Sequence, residues 1–374
     1  MSLGFVPYVL LQSKDVFLNA TPSRKITPRG FMSMLLANTQ PLVDTNLQTP
    51  GGQQRPVTIK YRTRVPAGQS SQSDDCLINA IPVYNEATVP SMLFRKYSIH
   101  IDDNTIAHYE KEAADSVAVG KPATNVVNEI WDAIIEAANG LFADINGDLV
   151  TAQASNFGVN VNNIVSGSPS SAAYGMVFPL ATTSNYLNKG MTQVIADMAD
   201  NEVSIDNCVV VGNGLVHNYY LQQPAKSAGS DGLDTSRLAL PQFFYDPSTI
   251  TGWGSNHFGV FEKNSVQLIN INNFAGFPSG DKLTTILGTI TLPVVDALGG
   301  GQLQSFKFDF QVKYIDCPQS ITLEGASSST NVGRGWVFTL MSTYNLFNVP
   351  ANAYASTDRL YNVNGGFHYS ATQS

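Results

Sequence analysis

Charge is scarce in this chain: only 13% of its 374 residues are Asp, Glu, Lys or Arg, where about a quarter is usual. Disorder would pair few apolar residues with much charge, and a 43% hydrophobic content excludes it. Cysteine is scarcer still. Cys76, Cys208 and Cys317 are odd in number and far apart, which supports neither a disulfide framework nor a CxxC zinc site. The apolar run from Leu3 to Leu11 lacks a basic n-region and a cleavage site and is too short to span a bilayer. A soluble, intracellularly made protein starting at Met1-Ser2, with no membrane partner, is the expectation. No GxSxG elbow, P-loop or HExxH occurs, and the five histidines pair with no Cys or Asp. No catalytic residue, cofactor or metal is therefore expected.

The charge that is present is unevenly placed. A net charge of −8 argues against wholesale wrapping of nucleic acid. Yet the first 64 residues carry Lys14, Arg24, Lys25, Arg29, Arg55, Lys60, Arg62 and Arg64 against only Asp15 and Asp44. From Pro122 to Asn188 there is no Lys or Arg at all, while Glu129, Asp132, Glu136, Asp144 and Asp148 all fall there. A largely uncharged surface rich in Asn, Ser, Thr and Gln suits a protein covered by neighbours, and it suits a secreted β-rich binding protein equally.

The strongest periodicity lies between Thr124 and Val150. Val127, Ile130, Trp131, Ile134, Ala138, Leu141, Phe142, Ile145 and Leu149 recur at helical spacing, with Glu129, Asp132 and Glu136 stacked on the other side. This predicts a long spine helix with an acidic stripe that no nearby base answers. The strictest alternation runs from Pro56 to Val65, with Val57, Ile59, Tyr61 and Val65 on one face and Lys60, Arg62 and Arg64 on the other. With a return strand from Leu77 to Tyr84 it predicts a long basic hairpin. Such a hairpin is unstable unless it packs on something, and we expect Lys60, Arg62 and Arg64 to meet Glu129, Asp132 and Glu136 of another copy.

Length predicts two or three lobes, and the order of patterns predicts an α+β fold. Residues 1–50 read as an arm, with a helical piece from Pro28 to Asn38 whose Phe31, Met34 and Leu35 would pack on a neighbouring surface. Strands or extended chain are expected over Val89–Ile101, Cys208–Val211, Gly259–Asn270, Leu283–Pro293, Gln304–Ile315 and Gly335–Tyr344. Helices are expected over Asn104–Asp115, Tyr186–Asp200 and Leu215–Gln223, and a Ser-, Asn- and Gly-rich loop from the spine to about Ser184. Three site-like patterns have plainer readings. Gly212-Asn213-Gly214 reads as a capping turn because the third glycine of a dinucleotide loop is His217. Asp144, Asn146 and Asp148 start like a calcium loop, but glycine falls at the fourth place instead of the sixth and no Glu closes it. His108 and Glu112 are two residues, short of a metal site.

An arm, a long hairpin, a spine helix, a helix-strand-helix unit and closing strands, in that order, resemble the tailed-bacteriophage major capsid proteins of the Hong Kong 97 type. MTQVIADMADNEVSIDNCVVVGNGLVHNYYLQQ (Met191–Gln223) resembles that family's entry into its axial domain. HFGVFEKNSVQLIN (His257–Asn270) and WVFTLMSTYNLFNVP (Trp336–Pro350) resemble later strands, and the closing VPANAYASTDRLYNVNGGFHY resembles capsid proteins of phages infecting Bacteroidetes. The resemblance implies an N-terminal arm (1–50), an extended loop (51–88), a peripheral domain (89–186, with the spine at 124–150), an axial domain (187–282) and peripheral-domain strands with the C-terminus (283–374). It implies hexamers and pentamers closing into an icosahedral shell around double-stranded DNA bound without sequence specificity. It further implies a separate scaffolding protein, a portal protein, assembly in the host cytoplasm and a place in the virion capsid. Lys60 sits in the loop from which some members form Lys-Asn links, but no matching Asn and Glu align. An encapsulin-like cellular compartment shell and a monomeric β-rich ligand-binding protein are the alternative readings.

Overall fold

The computed structural model describes residues 30–38, 57–62, 84–89, 92–118, 124–165, 168–178, 191–218, 241–272, 279–282, 285–292, 306–316, 319–322, 329–350 and 364–373. The long helix runs from Thr124 to Ala154, 31 residues, or about 46 Å at 1.5 Å per residue. Trp131, Ile134, Ala138, Leu141, Phe142, Ile145 and Leu149 are each at most 2% exposed, so the expected face is a core face. Each such large side chain contributes about 1.5–3 kcal/mol on burial. The helix outruns the expected Val150 because its last turn satisfies its own carbonyls: Thr151 donates to Gly147, and Ser155 and Asn156 donate to Ala152.

Two larger sheets pack around this helix. Their strands, with those of the smaller ribbons, are in chain order β1 (Val57–Arg62), β2 (Tyr84–Val89), β3 (Leu93–Asp102), β4 (Asn160–Val165), β5 (Ser168–Ser170), β6 (Tyr174–Phe178) and β7 (Cys208–Gly212). Then come β8 (Gln242–Tyr245), β9 (His257–Glu262), β10 (Val266–Ile271), β11 (Ser279–Lys282), β12 (Thr285–Leu292) and β13 (Phe306–Ile315). β14 (Gln319–Thr322), β15 (Ser329–Val332), β16 (Gly335–Asn348) and β17 (Gly366–Gln373) complete them. The first sheet is antiparallel, ordered β10-β16-β13-β12-β11, with β3 along the other side of β16. β16 is long enough to serve β13 with its first half and β10 with its second. Phe142 of the spine meets Phe306 and Phe308 of β13 edge-on, at 5.1 and 5.2 Å between centroids. Gly140 lets the Tyr97 ring of β3 approach, since a Cβ there would sit 3.1 Å from it.

The second sheet is mixed, ordered β6-β17-β9-β7-β8, with β6/β17 and β7/β8 parallel. One face packs with the helix Met191–Asp200 through Val194, Met198, Val210, Phe258, Val260, Phe367 and Tyr369. The other joins the spine core through Val209, Val211 and Phe261. The architecture is α+β and presents the hairpin, spine, helix-strand unit and closing strands in the expected order.

Several expectations are corrected. The helix Gly30–Asn38 does not reach for a neighbour: Phe31, Met32 and Leu35 are fully buried in this chain's own core. Its first amides are held from far away, Phe31 N–H by Asp246 Oδ2 and Met32 N–H by Asn146 Oδ1, both at 2.9 Å. Asn146 also donates to Asp246 at 2.8 Å, so two buried side chains do a capping residue's work. The strand expected over Gly259–Asn270 is two strands in different sheets, broken at Asn264 with its φ of 68°. The Ser-, Asn- and Gly-rich loop contains β4, β5 and β6. The return strand of the hairpin is β2; of the expected Leu77–Tyr84 only Tyr84 lies within the described residues. β6 and β17 share a sheet with β7 and β9, and β10 shares one with β13 and β16. Residues 186–190 and 219–223 of two expected helices lie outside the described residues.

Candidate assembly interface

β1 alternates as its sequence requires. Ile59 turns inward at 5% exposure, while Thr58 and Lys60 face solvent. The ribbon pairs Val57 with Val89 and Arg62 with Tyr84. Its inward side chains form a small apolar foot, Ile59 and Val89 with Met92, Ile269 and Phe347, separate from the main cores. A two-stranded ribbon is marginal alone, so this foot on β10 and the end of β16 is what fixes it to the body. On the outer face Thr58 and Thr88 share a hydroxyl hydrogen bond at 3.3 Å, and Lys60 Nζ lies 3.2 Å from Glu86 Oε1.

The six residues singled out from sequence are thus distributed unevenly. Lys60 is answered by Glu86 of its own hairpin, with the two side chains 75% and 58% exposed, a pair worth about 0–1 kcal/mol. Arg62 ends β1, but its side chain and the whole of Arg64 lie outside the described residues. Glu129, Asp132 and Glu136 all lie on the spine helix; Glu136 is exposed, Asp132 is half-buried and engaged within the chain, and the Glu129 side chain lies outside the described residues.

Sequence reasoning missed the base that does answer the acidic helix. Arg95 of β3 donates from Nε and Nη2 to the two oxygens of Asp148, at 2.8 and 2.9 Å, and Tyr344 of β16 donates to Asp148 Oδ2 at 2.5 Å. Burial alone would raise the Asp148 carboxyl; the hydrogen bonds from Arg95 and Tyr344 outweigh it and hold the group below its ordinary range. Burial, with the carboxylate beside it, pushes the Tyr344 phenol up. This clamp bolts the first sheet to the spine. No local signal marks it, because the partners are 53 and 196 residues apart.

The site-like motifs resolve as structural devices. Asn213 accepts from the Leu215 and Val216 amides at 3.0 and 3.3 Å, capping the helical residues 214–218, and donates to Ser255 O. Asp144 is exposed, Asn146 is fully buried on Asp246, and Asp148 holds Arg95, so the three do not converge.

No family model and no curated protein matches this chain. It is similar to a structure of Mycobacterium phage Adephagia, at 10% identity over 100% of this chain and 99% of that one, with a TM-score of 0.46. The capsid structure of Staphylococcus phage Andhra matches at 8% identity over 95% and 87%, with a TM-score of 0.41. The crystal structure of a virus-like particle from Pyrococcus furiosus matches at 7% over 85% and 86%, with a TM-score of 0.36. All three are distant likenesses.

Proposed function

We propose that this chain is a shell subunit, the major capsid protein of a tailed bacteriophage, assembling through hexamers and pentamers around double-stranded DNA. The observation that carries this reading is the hairpin: among the described residues β1 and β2 pair with each other and join neither large sheet, and they pack on the body through an apolar foot. A ribbon outside both large sheets suits one that reaches across to a second copy. The order of elements supports the same reading, as do the sequence resemblances at Met191–Gln223, His257–Asn270 and Trp336–Pro350.

In the assembled shell Arg62 and Arg64 would lie against Glu129 and Glu136 of the adjacent subunit. Lys60 and Asp132, already engaged within their own chain, would add less. Exposed pairs contribute about 0–1 kcal/mol each, so the contact sets register and partner more than stability. The hairpin then belongs to an extended loop (51–88). The spine and first sheet would form the peripheral domain, and the second sheet with the helix Met191–Asp200 the axial domain. A separate scaffolding protein, a portal protein and packaged DNA would be its partners in the host cytoplasm and virion, and the role needs no catalytic step.

Zero-length carboxyl-to-amine cross-linking of a mixed ¹⁴N/¹⁵N preparation of the Arg62→Lys, Arg64→Lys variant, which puts a reactive amine at each contact position, tests the contact. Mixed-isotope links from hairpin residues 57–89 to spine residues 124–154 support it. Links confined to single-isotope pairs, in a sample that has assembled, overturn it.

A further inference from the structure

Two imidazoles meet where the C-terminal strand crosses the end of the spine. His257 of β9 and His368 of β17 lie 2.9 Å apart, Nδ1 to Nε2. The His368 ring stacks on Phe157, just beyond the spine, with centroids 4.4 Å apart and planes 9° from parallel. Trp253 closes one side, its ring 6.5 Å from His368. Gly259 stands opposite His368 in the register and leaves room for the stack, since a Cβ there would lie 3.1 Å from Phe157. Gly254, at a φ of +133°, does the same for His257: a Cβ would meet that ring at 2.8 Å.

We propose that His257 and His368 form an acid-operated latch on β17, which holds while the pair shares one bridging proton and opens when both rings are charged. Two neutral imidazoles can share one N–H, and one imidazolium can donate to its neutral neighbour. Two imidazolium rings present a donor to a donor at 2.9 Å, and the bridge must break. Among the described residues of the two strands and of the segments packed on the pair, no group of opposite charge faces it. Phe157 and Trp253 flank His368 from the spine end and the turn before β9, and neither titrates. The nearest titratable groups on the two strands, Glu262 and Tyr369, fall on the other face of the sheet by alternation. Burial lowers both rings, and the charge of His257 lowers His368 further, to about 4. The pair titrates as a unit.

The sign follows from the depressed values. The latch stabilises β17 fully above the ordinary imidazole range near 6.5 and is lost as pH falls toward about 4. What it releases is specific, because β17 is the strand that links the edge strand β6 to β9 in the second sheet. The latch is a property of one chain and does not rest on the assembly reading.

Amide hydrogen exchange of the full chain, corrected for the intrinsic pH dependence, tests it. Between pH 7 and pH 4 the protection of 366–373 is expected to fall at least about tenfold more than that of 335–348. His257→Gln, which keeps a hydrogen-bonding partner but removes the second charge, should abolish that difference. Parallel loss in the two strands, or an unchanged difference in the variant, overturns the latch. Should the variant not fold, imidazole C2 hydrogen exchange on the unmodified protein decides: both rings titrating well below 6.5 supports it, and both at the ordinary value overturns it.

Discussion

Arg95 on β3 grips Asp148 on the spine helix through two hydrogen bonds, at 2.8 and 2.9 Å, making the strand and the helix one unit. Asp148→Asn keeps the shape and removes the charge, leaving Arg95 half-buried without its counterion. The side chains are 40% and 27% exposed, so solvent screens the loss. A destabilisation of about 1–3 kcal/mol is expected in urea unfolding of the monomer. Because the Asp148 carboxyl is held below its ordinary value, its contribution is present above about pH 4 and is lost as pH falls through the folded value. In Asp148→Asn that part of the acid dependence should be missing.

The buried pair Asn146 and Asp246 makes a second prediction. Asp246→Ala removes the acceptor of Phe31 N–H and of the Asn146 amide together, in a site with no exposure. A loss of about 2–4 kcal/mol is expected. Limited proteolysis should cut first around residues 30–38, ahead of the spine. Simultaneous cutting everywhere would mean the helix is held mainly by Phe31 and Leu35.

At Gly140 two effects compete. Alanine favours the helix by about 1 kcal/mol, but its Cβ would lie 3.1 Å from Tyr97. Tyr97 is 39% exposed and its ring can move by a few tenths of an ångström. Helix propensity should therefore win, and Gly140→Ala should raise the thermal midpoint by a few degrees.

The hairpin foot separates folding from assembly. Ile59 is buried in a cluster that contains no spine residue. Ile59→Asp should lower the monomer's stability by no more than about 2 kcal/mol, since the ribbon can detach. It should nonetheless prevent rings or shells from forming, as light scattering would show.

Legibility followed the distance over which each element finds its partners. The spine was readable because its 3.6-residue repeat is written locally, from Trp131 to Leu149, and β1 because Ile59 and Lys60 alternate. β6 was not, since Tyr174 finds Tyr369 from the far end of the chain. β17 carried a faint signal in Phe367, Tyr369 and Ala371 at period two. The break between β9 and β10 was hidden because apolar residues continue on both sides of Lys263 and Asn264, and only the backbone of Asn264 turns. Among the six candidate contact residues, sequence placed the acids on one helix. It could not show that Glu86 would answer Lys60, because cross-strand register depends on where β2 begins.

The central claim is that this chain assembles, and the most direct measurement is light scattering at rising concentration, with negative-stain electron microscopy of the same samples and scaffolding protein supplied. Rings of five or six, sheets or closed shells are the predicted result. A persistent 40.3 kDa monomer that does not respond to the scaffold would contradict it.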